Sequence, residues 1–208
     1  MTDKWSIDQK EFYEKSVTSF DKKGSSGLFH RDNRNHLKKI KAIANALDLH
    51  TDKLVLEIGI GSGIHAAWIL KEKSLMFVGL ELSRAMINSA DTRLKNSSLT
   101  SYHLIQGIGE RLCFGDNTFD AVYCSGTLHH VETPSDVVCE MVRVTKRGGY
   151  IGIMEPNWLF PVNALSGIMQ KHERNILIMR KDNLKTWAEL AGLTDVKVDN
   201  LLYTPPVP

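Results

Sequence analysis

Leu54-Val-Leu-Glu-Ile58-Gly-Ile-Gly61-Ser-Gly63 decides the reading of this chain of 208 residues. Leu54 to Ile58 is an apolar run too short for a good helix, and Gly59, Gly61 and Gly63 cut it off. The pattern predicts a buried strand that ends in a tight turn. From His65 to Lys71 the apolar positions Ala66, Ile69 and Leu70 return at helical spacing, so strand, glycine turn and helix follow one another directly.

The same alternation continues downstream. Leu75–Leu80 reads as a second strand. Ser83 can cap a helix carrying Met86, Ile87, Ala90 and Leu94. Tyr102–Gln106 and Phe119–Cys124 read as the third and fourth strands. Thr133-Pro134-Ser135-Asp136 opens a helix with the stripe Val137, Met141, Val144. Gly148-Gly149 precedes a fifth strand, Tyr150–Met154. Asp182 can cap a last helix with Leu184, Trp187 and Ala188, stopped at Gly192, and Asp195–Tyr203 alternates as a sixth strand. Upstream, Leu37, Ile40, Ile43, Ala44 and Leu47 mark a helix, and Lys22–Gly27 reads as a loop. Residues 1–36 form an aromatic-rich cover and residues 37–208 the core of one domain. This is an α/β protein with a doubly wound, mostly parallel sheet and helices on both faces. In such sheets ligands sit beyond the strand C-termini where strand order reverses, which places the glycine turn at the site.

Composition narrows the class. Lys plus Arg is 26 and Asp plus Glu is 24, a net charge of +2, which gives no electrostatic case for nucleic acid. Cys113, Cys124 and Cys139 form no CxxC pair, against a disulfide framework or a structural zinc site. The polar start shows no secretory signal and no stretch is long enough to cross a bilayer; a cytoplasmic protein is expected.

The glycines allow close approach of a ligand to the backbone. Glu81, at the end of the next strand, can accept two hydrogen bonds from ribose hydroxyls. Together they imply a cofactor containing a nucleoside. Gly61-Ser62-Gly63-Ile64-His65-Ala66 also fits the dinucleotide pattern GxGxxA, with Glu81 about 20 residues on. Against NAD, Glu57 would bring a negative charge close to a pyrophosphate; the same charge suits a cationic ligand.

Four blocks resemble the class I S-adenosylmethionine-dependent methyltransferases of the small-molecule type 11 family: Val55-Leu-Glu-Ile-Gly-Ile-Gly-Ser-Gly63, Gly79-Leu-Glu-Leu-Ser83, Gln106 through Leu112 and Phe114 to Asp120, and Arg147-Gly-Gly-Tyr150. Ser125-Gly-Thr-Leu-His-His-Val131 also fits. The resemblance implies a Rossmann-like methyltransferase fold with S-adenosylmethionine as cofactor. Glu57, Gly59, Gly61 and Gly63 would line its methionine part, Glu81 would hold the ribose, and Leu82 would pack on the adenine. Ser125 and Gly126 would run past the methionine end. Where the family carries an Asp for the adenine amino group this chain has Ile108, which leaves adenine to the Gly109 backbone and to apolar contact. Relative to the family the C-terminal strand region is shortened. The sheet position left unfilled predicts a homodimer or poor solubility.

Methyl transfer to a small-molecule acceptor is the expected function. His130, or else His129, just past the fourth strand, is the candidate base. Tyr13 and His30 in the cover, with Asn157 and Trp158 after the fifth strand, are expected to meet the acceptor. His172-Glu173-Arg174 reads as a solvated charged face, and Asp120 as structural. Two alternatives stay open: a non-catalytic module that binds the cofactor, and an NAD-dependent oxidoreductase, for which no Tyr-x-x-x-Lys set is visible.

Overall fold

The structure, a computed structural model, describes residues 4–26 and 33–201, with the backbone alone at 4, 18–26, 33–36, 162, 171 and 174. His30 lies outside the described residues. Two helices, α1 (Lys4–Ser26) and α2 (Asn33–Ala46), precede β1 (Leu54–Ile58), α3 (Ile64–Glu72), β2 (Met76–Glu81), α4 (Arg84–Asn96) and β3 (Tyr102–Gln106). Then come β4 (Phe119–Ser125), a 3-10 turn (Leu128–His130), α5 (Pro134–Val144) and β5 (Thr145–Met154). The remaining elements are α6 (Pro161–Met169), a 3-10 segment (Lys171–Ile178) and α7 (Lys181–Leu190).

The five strands pair in the order β3-β2-β1-β4-β5, every pair parallel. Order reverses between β1 and β4, so the crevice beyond their C-termini lies at the glycine turn. One face is sealed by Ile40 and Ala44 of α2, Leu47 just after it, Ala66 and Ile69 of α3 and Leu94 of α4, against Val55, Phe77, Ala121 and Tyr123. The other face packs Val137, Val138, Met141 and Val144 of α5, with Leu184 and Trp187 of α7, on Leu56, Ile58, Leu80 and Val122. With both faces covered, the inner strands β1, β2 and β4 are buried along most of their length rather than alternating. Ser83 caps α4 as its position predicts, its hydroxyl accepting from the Met86 N–H at 3.2 Å. Pro134 stands in the first turn of α5, although the Thr133 side chain makes no cap bond.

Four expectations fail. Asp182 does not cap α7 but lies within its first turn, the cap position being Arg180. Asp195–Leu201 forms no strand: Val196 and Val198 are half-buried between exposed neighbours, so the alternation records one side resting on the body, without a ladder partner. The described sheet therefore ends at β5. Lys22–Ser26 is not a loop but the end of α1; a single Gly24 costs a helix only about 1 kcal/mol. Gly148-Gly149 does not precede β5 but lies within it, in a bulge between the pairs Phe119–Thr145 and Ala121–Tyr150.

Candidate active site

The end of β1 is bound tightly into the sheet. The N–H groups of Gly59 and Ile60 both donate to the Leu80 carbonyl, at 2.8 and 3.1 Å. Gly59 has φ +72°, and a Cβ there would be driven into the Thr127 side chain. Gly61 differs: φ is +54°, yet a Cβ would meet nothing within 4 Å, so the middle of the turn faces open space. Its N–H donates to Glu81 Oε2 at 2.9 Å, while the Ser83 N–H donates to Glu81 Oε1 at 3.0 Å. Burial raises the Glu81 pKa despite these two donors, and the Glu57 charge adds to the shift.

Glu57 is 2% exposed. Its Oε1 lies 3.3 Å from His65 Nδ1, and its Oε2 is buried with no hydrogen-bond partner. A buried carboxylate oxygen without a partner costs free energy unless a donor or cation meets it.

Across the crevice, Gly126 donates its N–H to the Met154 carbonyl and Thr127 Oγ1 donates to the Ile58 carbonyl at 3.1 Å, tying β4 to β5 and β1. Glu155, which follows β5, accepts the N–H groups of Thr127 and Leu128, each at 2.8 Å. Its other oxygen lies 2.5 Å from His129 Nδ1, and His129 Nε2 lies 3.6 Å from Glu173 Oε2. Burial opposes a charge on His129, but Glu155 and then Glu173 raise its pKa overall. His130 is the reverse. Burial, and then the His129 charge, push its pKa down to about 3, and its Nδ1 lies 3.1 Å from the His172 carbonyl.

Helix α1 lies over this edge. Trp5 Nε1 donates to the His130 carbonyl at 2.9 Å and Gln9 Nε2 to the His172 carbonyl at 3.2 Å. Phe12 stacks on His172 and Tyr13 meets His130 edge-on, with centroids 4.0 and 5.4 Å apart. Glu14 accepts the first N–H groups of α4, those of Arg84 and Ala85, a favourable place for an anion. The Tyr13 hydroxyl is raised well above its ordinary pKa by burial and then by the charges of Glu173, Glu81 and Glu155, so one side chain senses both walls of the crevice.

A family model described as a methyltransferase domain matches residues 56–153. The chain is 27% identical over 165 residues to the ubiquinone biosynthesis O-methyltransferase of Pseudomonas fluorescens, covering 74% of this chain and 69% of that one. It is 29% identical over 129 residues to the demethylmenaquinone methyltransferase of Thermobifida fusca, covering 62% and 54%. A crystal structure of a SAM-dependent methyltransferase from Thermotoga maritima superposes with a TM-score of 0.69 over 89% of this chain and 81% of that one, at 21% identity. Residues 56–153 match the methyltransferase domain of the type 11 family, and the chain as a whole has the class I methyltransferase fold. It spans about half the length of several curated relatives.

S-adenosylmethionine is the cofactor of this methyltransferase family, and the residues present fit it. The unpartnered oxygen of Glu57 suits an ammonium group, and the open space at Gly61 admits a ligand against the backbone. Gly63 caps α3 in the left-handed conformation, close to Ala90. Leu82 is half-buried beside Glu81, its carbonyl accepting from Gln106 Nε2 at 3.0 Å. Ile108 bridges to Arg111, and Gly109 is buried against Ile58 and Val137. Ser125 and Gly126 stand at the end of β4 as expected. The structure brings Tyr13, His129 and His130 together. Asn157 stands apart from them, exposed, its Oδ1 accepting from the Leu159 N–H in a local turn. Trp158 lies under the Arg180 guanidinium, 4.6 Å from the ring centroid.

The reading of His172 and Glu173 as a solvated face does not hold: both reach the histidine pair. Glu155 and Thr127 also prove central to the methyltransferase crevice. Glu155 directly follows a predicted strand on the ligand edge, and that was the available signal for it. Among the described residues no helix is long and apolar enough to cross a membrane.

Proposed function

We propose that this methyltransferase transfers a methyl group from S-adenosylmethionine to a small, partly apolar acceptor bearing a hydroxyl group. The observation that carries the reading is Glu57, a buried carboxylate with one unpartnered oxygen at the point where strand order reverses. When bound, the cofactor supplies a methyl group activated on a sulfonium. Glu57 holds the cationic amino acid end, Glu81 turns toward the ribose, and Leu82, Ile108 and Gly109 take the adenine through apolar and backbone contact. Ser125 and Gly126 run beside the methionine end, with Gly59 and Gly63 shaping the turn.

Displacement at a sulfonium needs alignment more than strong acid–base help. His130, neutral because burial holds its pKa near 3, accepts a hydrogen bond from the acceptor rather than storing its proton. His129, hydrogen-bonded through Nδ1 to Glu155, positions the turn that carries His130. Tyr13 covers the acceptor when α1 is closed, and α1 opens to admit ligands. Trp158, stacked under Arg180, borders the far side, and Asn157 stays outside it. The exposed Leu159, Leu165, Ile168 and Met169 nearby in sequence suit an acceptor with an apolar portion. The relatives named above act, by their names, in quinone biosynthesis and as methyltransferases, which favours this reading over an oxidoreductase; Glu57 would repel a pyrophosphate. The outer edge of β5, unpaired among the described residues, supports self-association.

Calorimetry with S-adenosylhomocysteine and with NAD tests the cofactor, and transfer of labelled methyl to a panel of phenols, quinols and amines tests the reaction. Micromolar binding of S-adenosylhomocysteine with labelled phenol or quinol is the expected result. Binding of NAD alone overturns the reading.

A further inference from the structure

We infer that His129, His130 and Glu173 form a divalent metal site, of a kind suited to zinc, beside the acceptor space. The inference rests on the reading that this pair of histidines faces the acceptor, and it adds a cation that the reading does not need.

One ligand atom from each of the three residues lies within 4.8 Å of the others. His129 Nε2 and Glu173 Oε2 are 3.6 Å apart, and an ion about 2.0–2.2 Å from each fits between them. His130 offers the third ligand atom, within 4.8 Å of the other two, for a three-residue set with the fourth tetrahedral position open. Two imidazoles and one carboxylate are a common donor set for catalytic zinc, with the fourth position left open.

An independent observation comes from the far side of each ring. A ligating histidine almost always gives its other ring nitrogen to a carboxylate or a backbone carbonyl, which fixes the tautomer and the ring plane. Both histidines are held in this way, by partners that are not themselves ligands: His129 Nδ1 by Glu155 and His130 Nδ1 by the carbonyl of His172. Those partners are fixed in turn. Glu155, whose side chain is 1% exposed, accepts two backbone N–H groups. The His172 carbonyl accepts from Gln9, and the His172 ring stacks on Phe12. Each histidine thus keeps one nitrogen with a lone pair once its Nδ1 proton is donated.

The charge balance points the same way. Glu155 and Glu173 flank a single imidazole, and among the described residues neither carboxylate pairs with a Lys or Arg. An ion bound here would sit next to Tyr13 and take the acceptor oxygen in its open position. Coordination lowers the pKa of a bound hydroxyl, and with the ion in place His130 serves as its ligand rather than as the hydrogen-bond acceptor.

The test uses the full chain without an affinity tag, stripped of metal at pH 7.5 and titrated with Zn²⁺ and, separately, with Co²⁺. One equivalent of Zn²⁺ bound at micromolar or tighter affinity is expected, together with the intense visible absorption of four-coordinate cobalt. Glu173→Gln should weaken binding at least tenfold, and His130→Ala should remove the cobalt band, while His50→Ala changes neither. The wild-type cobalt spectrum alone decides the matter if a variant fails to fold. Absence of a stoichiometric ion in the wild-type protein overturns the inference, as does binding that Glu173→Gln and His130→Ala leave unchanged. S-adenosylhomocysteine binding, measured on the metal-free protein, reports separately on the methyltransferase reading.

Discussion

The two ends of one sheet treat their carboxylates in opposite ways. At the N-terminal end of β4, Asp120 accepts the Leu54 N–H at 2.9 Å and pairs with Lys146 at 2.7 Å, and its side chain stays 28% exposed. At the C-terminal end Glu57, Glu81 and Glu155 are buried, and among the described residues none pairs with a Lys or Arg. They are met by backbone N–H groups and by histidines, and Glu57 is also faced by the buried Tyr123 hydroxyl. The first arrangement serves the fold. The second costs stability and is explained by a cationic ligand, because buried carboxylates without a strong cation are expensive to keep. Perturbed, desolvated acids in a cleft mark functional sites for this reason.

Exchanging the charge at each end should therefore separate binding from stability. Glu57→Gln is expected to weaken S-adenosylhomocysteine by about 100-fold, equivalent to about 2.7 kcal/mol. The same change should leave the urea midpoint unchanged or higher, since it removes a buried charge with an unsatisfied oxygen. Asp120→Asn should do the converse: lower stability by about 1 kcal/mol or less, as befits a partly exposed pair, with affinity unchanged. If Glu57→Gln unfolds the protein and Asp120→Asn weakens the ligand, the contrast between the two ends is wrong.

The glycine turn allows a second separation within a single loop. Gly59→Ala places a methyl group against Thr127 at φ +72°, and the strain and clash together should cost about 2–4 kcal/mol. Gly61→Ala, with φ +54° and open space around the new Cβ, should cost about 1 kcal/mol but reduce cofactor affinity at least tenfold. Thermal unfolding and calorimetry on the two variants check both halves. Equal losses of stability would mean that the space at Gly61 is not a ligand space.

The parts of the site that were legible in the sequence are those fixed by local pattern. A short apolar run, three glycines, and an acid at the end of the next strand define β1, the turn and Glu81 without knowledge of anything distant, and Ser83 announces α4 by chemistry that acts over three residues. The histidine cluster was half legible. His129 and His130 follow β4 and so had to lie on the ligand edge. Glu173 and His172 come from a 3-10 segment that returns across that edge more than 40 residues later, and no periodicity encodes that return. Asp195–Leu201 misled for a related reason: alternation reports which side of a chain is covered, and a strand also needs a neighbour with free N–H and C=O groups.

The smallest contrast is in pH. At Asp120, burial alone would raise the pKa, but the Lys146 ammonium, the Leu54 N–H and Lys53 outweigh it and hold the carboxyl below its ordinary 3.8. As pH falls, the unfolded chain takes up this proton first, so the stability Asp120 provides is complete above 3.8 and is lost as pH falls through the lower folded value. Glu81 is shifted upward from 4.5, chiefly by burial. Here the folded protein keeps the proton longer, so its contribution is complete below 4.5 and is lost as pH rises through the folded value. Urea midpoints between about pH 2.5 and 7 should therefore show Asp120→Asn flattening the acid limb by about 1 kcal/mol or less. Glu81→Gln should remove a decline on the neutral side instead. Should both substitutions flatten the same limb, the sheet would have one kind of carboxylate at both ends, and the case for a cation at the C-terminal end would lose its electrostatic support.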